Sequence, residues 1–280
     1  MYPGWSKAIT KRWFITGCSD GLGAAIARAA VEAGHDVFAT ARNVATLHGL
    51  VRDHGDRLTP FQLDVTDAPQ MDAAIAQAGP VDVLVNNAGH GYLAAVEEGE
   101  DAKIRRTFQV NFFGAAALIR AVLPGMRERG DGTIVNVSSV AGFLAGAGSA
   151  YYAASKYALE GLSDALVAEA GALGIRVLIV EPGPIRTSFA GRSLLESPSM
   201  EAYAQTAGKR QRQIRESDGR QSGDPQAIAR LIVELVDTKA PVQRVTLGAM
   251  AIRGVELKLT EVAADLEALR ERSLATDFID

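Results

Sequence analysis

A short apolar run, Trp13-Phe14-Ile15-Thr16, passes directly into Gly17-Cys18-Ser19-Asp20-Gly21-Leu22-Gly23. An alanine-rich helical pattern follows, with Gly34 at its end as a C-terminal cap, and a second apolar run spans Val37 to Thr40. Strand, glycine loop, helix and strand make a βαβ unit, and two strands joined this way must lie parallel in one sheet. The glycines allow a tight turn and a close backbone approach to a pyrophosphate, which would sit at the positive end of the helix. Cys18, inside this loop, reads as a small packing residue, since no histidine stands nearby to activate it.

The alternation continues. Residues 59–63 form a strand ending in Asp64-Val65, where the aspartate could receive an adenine amino group, and a helix covers 69–78. A strand over 81–85 ends in Asn86-Asn87-Ala88-Gly89, a hydrogen-bonding turn at the sheet edge where ligands of open α/β sheets lie. Residues 101–123 read as one long helix closed by Pro124-Gly125, with Asn111 at its middle, where an indifferent helix former amid apolar residues must satisfy its amide and a structural hydrogen bond is the plain reading. The strand over 133–137 delivers Ser138 and Ser139; a helix over 151–171 follows, and the strand over 175–180 ends in Glu181-Pro182-Gly183-Pro184. From 188 to 223 the pattern lapses into a polar stretch without a strand, the mark of a lid or binding loop. A helix from Asp224-Pro225 to about 237, a strand over 243–247 and an amphipathic helix over 257–272 complete the chain. The expected fold is a doubly wound α/β Rossmann fold, a parallel sheet of about seven strands flanked by helices. It forms one domain over residues 1–280, with 188–223 as a substrate-binding lid.

Composition narrows the function. A hydrophobic content of 48% supports a full core, and a net charge of −4 argues against a nucleic-acid-binding surface. The basic run Lys209, Arg210, Arg212 and Arg215 reads as a solvated helix face. No apolar run is long enough to span a membrane, and the opening residues lack the build of a signal peptide. One cysteine permits no internal disulfide, and the four histidines show no metal-ligand spacing. A cytoplasmic protein without a metal is expected.

Tyr152 and Lys156 stand four apart on the helix over 151–171, on one face and one turn apart, and Ser139 arrives from the end of a strand. A free phenol titrates near ~10, and a lysine cation beside it favours the phenolate, making a usable proton shuttle. Ser139 can then hydrogen-bond the oxygen of the reacting group. Tyr151 and Tyr157 have Ser155 and Gly161 at the same spacing, so Tyr152 alone has a cation in register. At the end of the second strand, Thr40-Ala41-Arg42-Asn43 carries no carboxylate for a ribose 2′-hydroxyl, and Arg42 can fork onto a 2′-phosphate. The plain alternative is an exposed arginine at the start of the next element. Asp20 would repel such a phosphate if it sat nearby.

Taken in order, Thr16-Gly17-x-x-x-Gly21-x-Gly23, Asn86-Asn87-Ala88-Gly89, Asn111, Ser139, Tyr152-x-x-x-Lys156 and Pro182-Gly183 resemble the short-chain dehydrogenase/reductase family over about residues 10–250. Within it, the Ala39-Thr40-Ala41-Arg42 turn and the long tail are similar to hydroxysteroid- and retinol-dehydrogenase-like members. The resemblance implies an oxidoreductase moving a hydride between NADP(H), with NAD possible, and a carbonyl or alcohol of a small molecule. Tyr152 would be the general acid/base; Lys156 would bind the nicotinamide ribose and depress the tyrosine. Ser139 would orient the substrate oxygen, and Asn111 would hold a relay water. Gly17, Ser19, Gly21 and Leu22 would cradle the pyrophosphate, and Arg42, Asp64, Val65, Asn87 and Ala88 would meet the adenosine side. Pro182, Gly183, Ile185 and Thr187 would close over the nicotinamide. The helices over 101–123 and 151–171 would pair into a homodimer or homotetramer. Tyr92, Leu93, Phe143, Leu144 and Phe189 suggest an apolar and fairly bulky substrate, with core packing as the other reading of each; His90 reads as a surface-loop residue, with substrate contact as its alternative. The competing function is a dinucleotide-binding regulator that has lost the chemistry, whose mark would be a broken Ser/Tyr/Lys set.

Overall fold

In β1 (Arg12–Ile15) Trp13 and Ile15 face one side of the sheet and Phe14 the other, and all three are fully buried. A strand buried on both faces needs helices on both sides, and that requirement runs through the whole chain. The computed structural model describes residues 10–278. After β1 come α1 (Gly21–Glu32), β2 (Asp36–Ala41), α2 (His48–His54), β3 (Leu58–Gln62), α3 (Ala68–Ala78), β4 (Val83–Asn86) and β5 (Gly91–Leu93). Then follow α4 (Asp101–Phe108), a π-helical stretch (Gln109–Gly114), α5 (Ala115–Arg129), β6 (Gly132–Val137), α6 (Ala150–Ala170) and β7 (Ile175–Pro182). The chain ends with α7 (Phe189–Arg192), β8 (Leu194–Glu196), α8 (Ala207–Glu216), α9 (Pro225–Asp237), β9 (Arg244–Leu247) and α10 (Ala249–Leu274).

Seven strands form one parallel sheet in the order β3-β2-β1-β4-β6-β7-β9. The chain runs outward from β1 to β3, then returns to β4 on β1's other side. The order therefore reverses between β1 and β4, and the glycine loop and the Asn86–Gly89 turn meet at that crevice. One core joins α1 and α9 to the sheet through Ile26, Ala30, Val37, Ile232 and Val236. The opposite core joins α3, α5 and α6 through Met71, Leu118, Ile134, Leu166 and Ile179. Each fully buried Ile or Leu contributes about 1.5–3 kcal/mol.

Two expectations are corrected. The helix over 101–123 does not close at Pro124: α5 runs on to Arg129 with Pro124 inside it, and Gly130, left-handed at φ 64°, caps it. An interior proline costs about 3 kcal/mol, but Leu118, Ile119, Val122 and Met126 form a buried stripe that spans it and holds the helix together. The whole run Asp101–Arg129 has the length and hydropathy of a membrane-crossing helix, yet that stripe packs on the sheet. Nor is the stretch 188–223 strand-free: β8 pairs in parallel with β5, from Gly91 opposite Leu194 to Leu93 opposite Glu196. Leu194-Leu195-Glu196 is too short to stand out as a strand in sequence, and its partner lies a hundred residues upstream.

Candidate active site

The crevice is built first by glycines. Gly17 has φ 73°, and a Cβ there would press on Ala88 Cα at 3.0 Å and Asn87 Nδ2 at 3.1 Å. At Gly23 a Cβ would sit 2.3 Å from the Gly17 carbonyl oxygen, so only glycine lets α1 start this close to the loop. Asn87 fastens the turn, its Nδ2 donating to the Thr16 and Gly17 carbonyls at 2.8 and 3.1 Å. The Thr16 hydroxyl accepts from the Asn87 and Ala88 amides at 3.0 and 2.9 Å. Thus Asn87 is a clamp between β1 and β4 whose amide donors are already spent. Cys18 is fully buried, and its thiol is pushed up to about 12 by burial, as suits a packing residue.

Around the expected adenosine side, Arg42 is exposed at the end of β2. Asp64 is not free: its Oδ1 accepts from the Thr66 amide and hydroxyl, and its Oδ2 from Arg106 at 3.2 Å. Burial opposes ionisation of Asp64, but the Thr66 hydrogen bonds and Arg106 outweigh it and hold the carboxyl below its usual range. Val65 is buried in the core against Gly114. Ser19 is exposed at the mouth, Gly21 has φ 59°, and Leu22 is buried in the first turn of α1.

Tyr152 and Lys156 lie on α6, the ammonium 6.0 Å from the phenol ring centre, with Phe189 tilted against the ring at 6.1 Å. Ser139 favours the ionised form of the Tyr152 phenol, and its hydroxyl accepts from the Ala141 amide at 3.1 Å, which fixes its rotamer. The neighbouring tyrosines point away: Tyr151 donates to the Val96 carbonyl at 2.7 Å and Tyr157 to that of Phe143. Burial pushes the Tyr152 phenol up, against the pull of Ser139. The lysine is itself buried and pushed down to about 8, with Glu160 resisting the shift, and its Nζ donates to the Val137 carbonyl at 2.8 Å.

Asn111, in the π-helical stretch, has both amide donors and one acceptor site of its oxygen engaged among the described residues. Its Oδ1 accepts from the His90 amide at 3.0 Å, and its Nδ2 donates to the His90 carbonyl and to Ser155 Oγ, both at 3.0 Å. A π turn is the local price of aiming this side chain at the loop. His90 is not the surface residue expected. The Thr107 hydroxyl donates to the Lys103 carbonyl at 2.8 Å and so accepts from His90 Nε2 at 3.1 Å, which sets the tautomer. Burial, then Arg106, Arg42 and Lys156, lower His90 to about 4. Tyr92 and Leu93 are core residues of β5, with the Tyr92 hydroxyl on Ser197, whereas Phe143, Leu144 and Phe189 stay partly open. Pro182 is buried, Ile185 is bridged to Gly223, and Thr187 packs over Gly21.

Two groups escaped the sequence reading. Asn86 donates to Asn136, Asn136 to Ser163, and Ser163 to the Leu159 carbonyl, a buried chain that locks α6 to β4 and β6. An asparagine inside Ile134-Val135-Asn136-Val137 was the available signal. The second is Glu160, four residues beyond Lys156 on the same helix face. It sits with Glu181 around Arg244, whose Nε lies 3.3 Å from each carboxylate. Burial, and the Glu181 charge, push Glu160 up to about 7 against the pull of Ser138 and Arg244.

With this geometry in hand, the comparisons with known proteins are specific. The model of the short chain dehydrogenase family matches residues 11–196. Oxidoreductase BOA17 of Botryotinia fuckeliana is 37% identical, covering 96% of this chain and 100% of that protein. Human retinol dehydrogenase 8 is 40% identical over 69% of this chain and 64% of its own length. A short-chain dehydrogenase from Streptomyces avermitilis superposes with a TM-score of 0.91 at 43% identity, covering 96% of this chain and 100% of its own. One from Burkholderia cenocepacia in complex with NADP gives 0.70 at 26%, covering 97% and 98%. The chain belongs to the short-chain dehydrogenase family. It is an NAD(P)-dependent oxidoreductase acting between CH–OH and carbonyl groups.

Proposed function

We propose that this protein interconverts a ketone or aldehyde and its alcohol on an apolar small molecule, with NADP(H) as its dinucleotide and Ser139, Tyr152 and Lys156 as its catalytic set. The observation that carries the reading is the gathering of these three side chains at the crevice where the glycine loop opens. The crevice fits a dinucleotide: Asp20, at the N-cap of α1, makes no capping bond and leaves the first-turn amides of the helix for an anion, while Arg42 stands exposed at the ribose side. Bound there, the dinucleotide supplies the hydride. Gly17, Ser19, Gly21 and Leu22 would hold its pyrophosphate, Arg42 its 2′-phosphate, and Pro182, Gly183, Ile185 and Thr187 its nicotinamide end.

Tyr152 gives its phenolic proton to the substrate oxygen during reduction and takes it back during oxidation. Ser139 holds that oxygen in line with the phenol. Lys156 is a cation anchored on the Val137 carbonyl that stabilises negative charge developing nearby. Asn111 clamps the His90 loop, and the second lone pair of its Oδ1 is where it would hold a relay water. The half-open Phe143, Leu144 and Phe189 favour an apolar substrate. Residues 188–223 serve as the lid of a single domain, and a cytoplasmic homodimer or homotetramer is the expected working form. The test is NADPH oxidation followed by absorbance with a panel of aromatic and alicyclic ketones. Turnover of some of them is expected. Tight NADPH binding with no turnover across the panel would instead favour a dinucleotide-binding regulator.

A further inference from the structure

Asp20 has the residue type and backbone of a helix N-cap, yet its carboxylate does not cap α1. It reaches across the crevice and accepts a hydrogen bond from the Ser188 hydroxyl at 2.6 Å, a charge-assisted distance. Next to it, Thr187 lies over Gly21, where a Cβ would meet Thr187 Cβ at 3.3 Å. Two successive contacts therefore join the glycine loop to the segment that follows β7. That segment is fixed at both ends. Upstream, the Arg186 amide donates to the Gly223 carbonyl at 2.9 Å and the Gly223 amide to that of Pro184 at 3.1 Å. Downstream, the Gly91 amide donates to the Ser193 carbonyl at 2.8 Å and β8 pairs with β5. Between these anchors, the other described hydrogen bonds of 187–191 stay within the segment: the Phe189 amide to Thr187 Oγ1, and the Gly191 amide to the Ser188 carbonyl.

We propose that Asp20 and Ser188 form a clasp across the dinucleotide cleft, and that breaking it limits how fast the cofactor leaves. The inference rests on the reading of this crevice as an NADP(H) site. It also gives Asp20 a task other than facing the 2′-phosphate: both are positioning residues that hold two loops together over whatever lies between them. A clasp acts on the cleft and not on the phosphate, so it retains NADPH and NADH alike.

The measurement is stopped-flow release of NADPH, and separately of NADH, from the full-length protein, read by nucleotide fluorescence. Asp20→Ala and Ser188→Ala should each speed release of both nucleotides by about tenfold, equivalent to about 1.4 kcal/mol. The double variant should be no faster than either single one, because both remove the same bond. Asp20→Asn, which keeps an acceptor without the charge, should fall between wild type and Asp20→Ala. Unchanged release rates, multiplying effects in the double variant, or a change in Asp20→Ala confined to NADPH would each overturn the clasp. Failure of the wild-type protein to bind either nucleotide would overturn the functional reading and the clasp together.

Discussion

Tyr152 is distinguished from Tyr151 and Tyr157 by the direction in which it leaves the helix. Tyr151 and Tyr157 spend their hydroxyls on backbone carbonyls, whereas Tyr152 faces Ser139 and Lys156. Tyr152→Phe should lower turnover by at least about 10²–10⁴-fold with nucleotide binding nearly intact, and Tyr151→Phe should be mild. Equal losses in steady-state assays would sink the register argument. Arg42→Ala should raise KM for NADPH by about one to two orders of magnitude, as loss of a charge-assisted hydrogen bond of about 1.5–3 kcal/mol implies. KM for NADH should hardly move; an unchanged NADPH/NADH ratio would leave Arg42 an ordinary surface residue. Glu160 makes a prediction in pH. Its folded value, about 7, lies above its ordinary 4.5, so the folded state binds the extra proton between these values and stability falls as pH rises through that window. Glu160→Gln removes this slope, a change of about 1–3 kcal/mol. His90, lowered to about 4, works in the opposite direction below its ordinary 6.5. The wild-type-minus-variant difference in urea unfolding, taken at pH 5 and pH 7, therefore isolates Glu160; a flat difference would contradict the assignment.

At the scale of elements, the site depends on how α4, α5 and α6 are tied to the turn after β4. Asn111 grips His90 at both backbone groups, and the Asn86–Asn136–Ser163 chain fastens α6 to the sheet. Asn111→Ala leaves buried groups unpaired and should cost about 1–3 kcal/mol in chemical denaturation as well as activity. A variant that lost activity at full stability would show that Asn111 acts in proton transfer and not as a clamp. Pattern reading found these elements because strands and helices announce themselves by periodicity. It missed β8 and the true end of α5 because both depend on contacts: β8 on β5, and the helix past Pro124 on a stripe buried against the sheet.

For the whole molecule, α10 is the outlier. Its start packs through Ala251 and against Leu144 at Gly254, but from Leu259 to Leu274 every residue is exposed, Leu259, Val262, Leu266 and Leu269 among them. Deleting the chain after Lys258 should therefore leave the thermal midpoint of an isolated subunit unchanged within about 2 °C, since surface changes away from contacts seldom exceed ~0.5 kcal/mol. A clear drop by calorimetry would mean that this helix is covered in solution. Phe113 and Tyr157, exposed on the helical layer of α4 to α6, mark the face where the expected subunit pairing would occur. A monomeric mass by light scattering at micromolar concentration would contradict it.

The sequence by itself determined the layer order, the seven-stranded sheet, the glycine loop and the spacing that puts Tyr152 and Lys156 on one face. Each of these is written in local periodicity, in glycines that no other residue could replace, or in a helical repeat. Only the tertiary structure decided what those residues experience. Burial raises the Tyr152 phenol and lowers Lys156, and Arg106 occupies the Asp64 carboxylate that sequence left open for adenine. Asp20 turns away from its own helix to meet Ser188, 168 residues later. Charge, solvation and long-range partners are set by what the fold brings close, and distance along the chain carries no record of them.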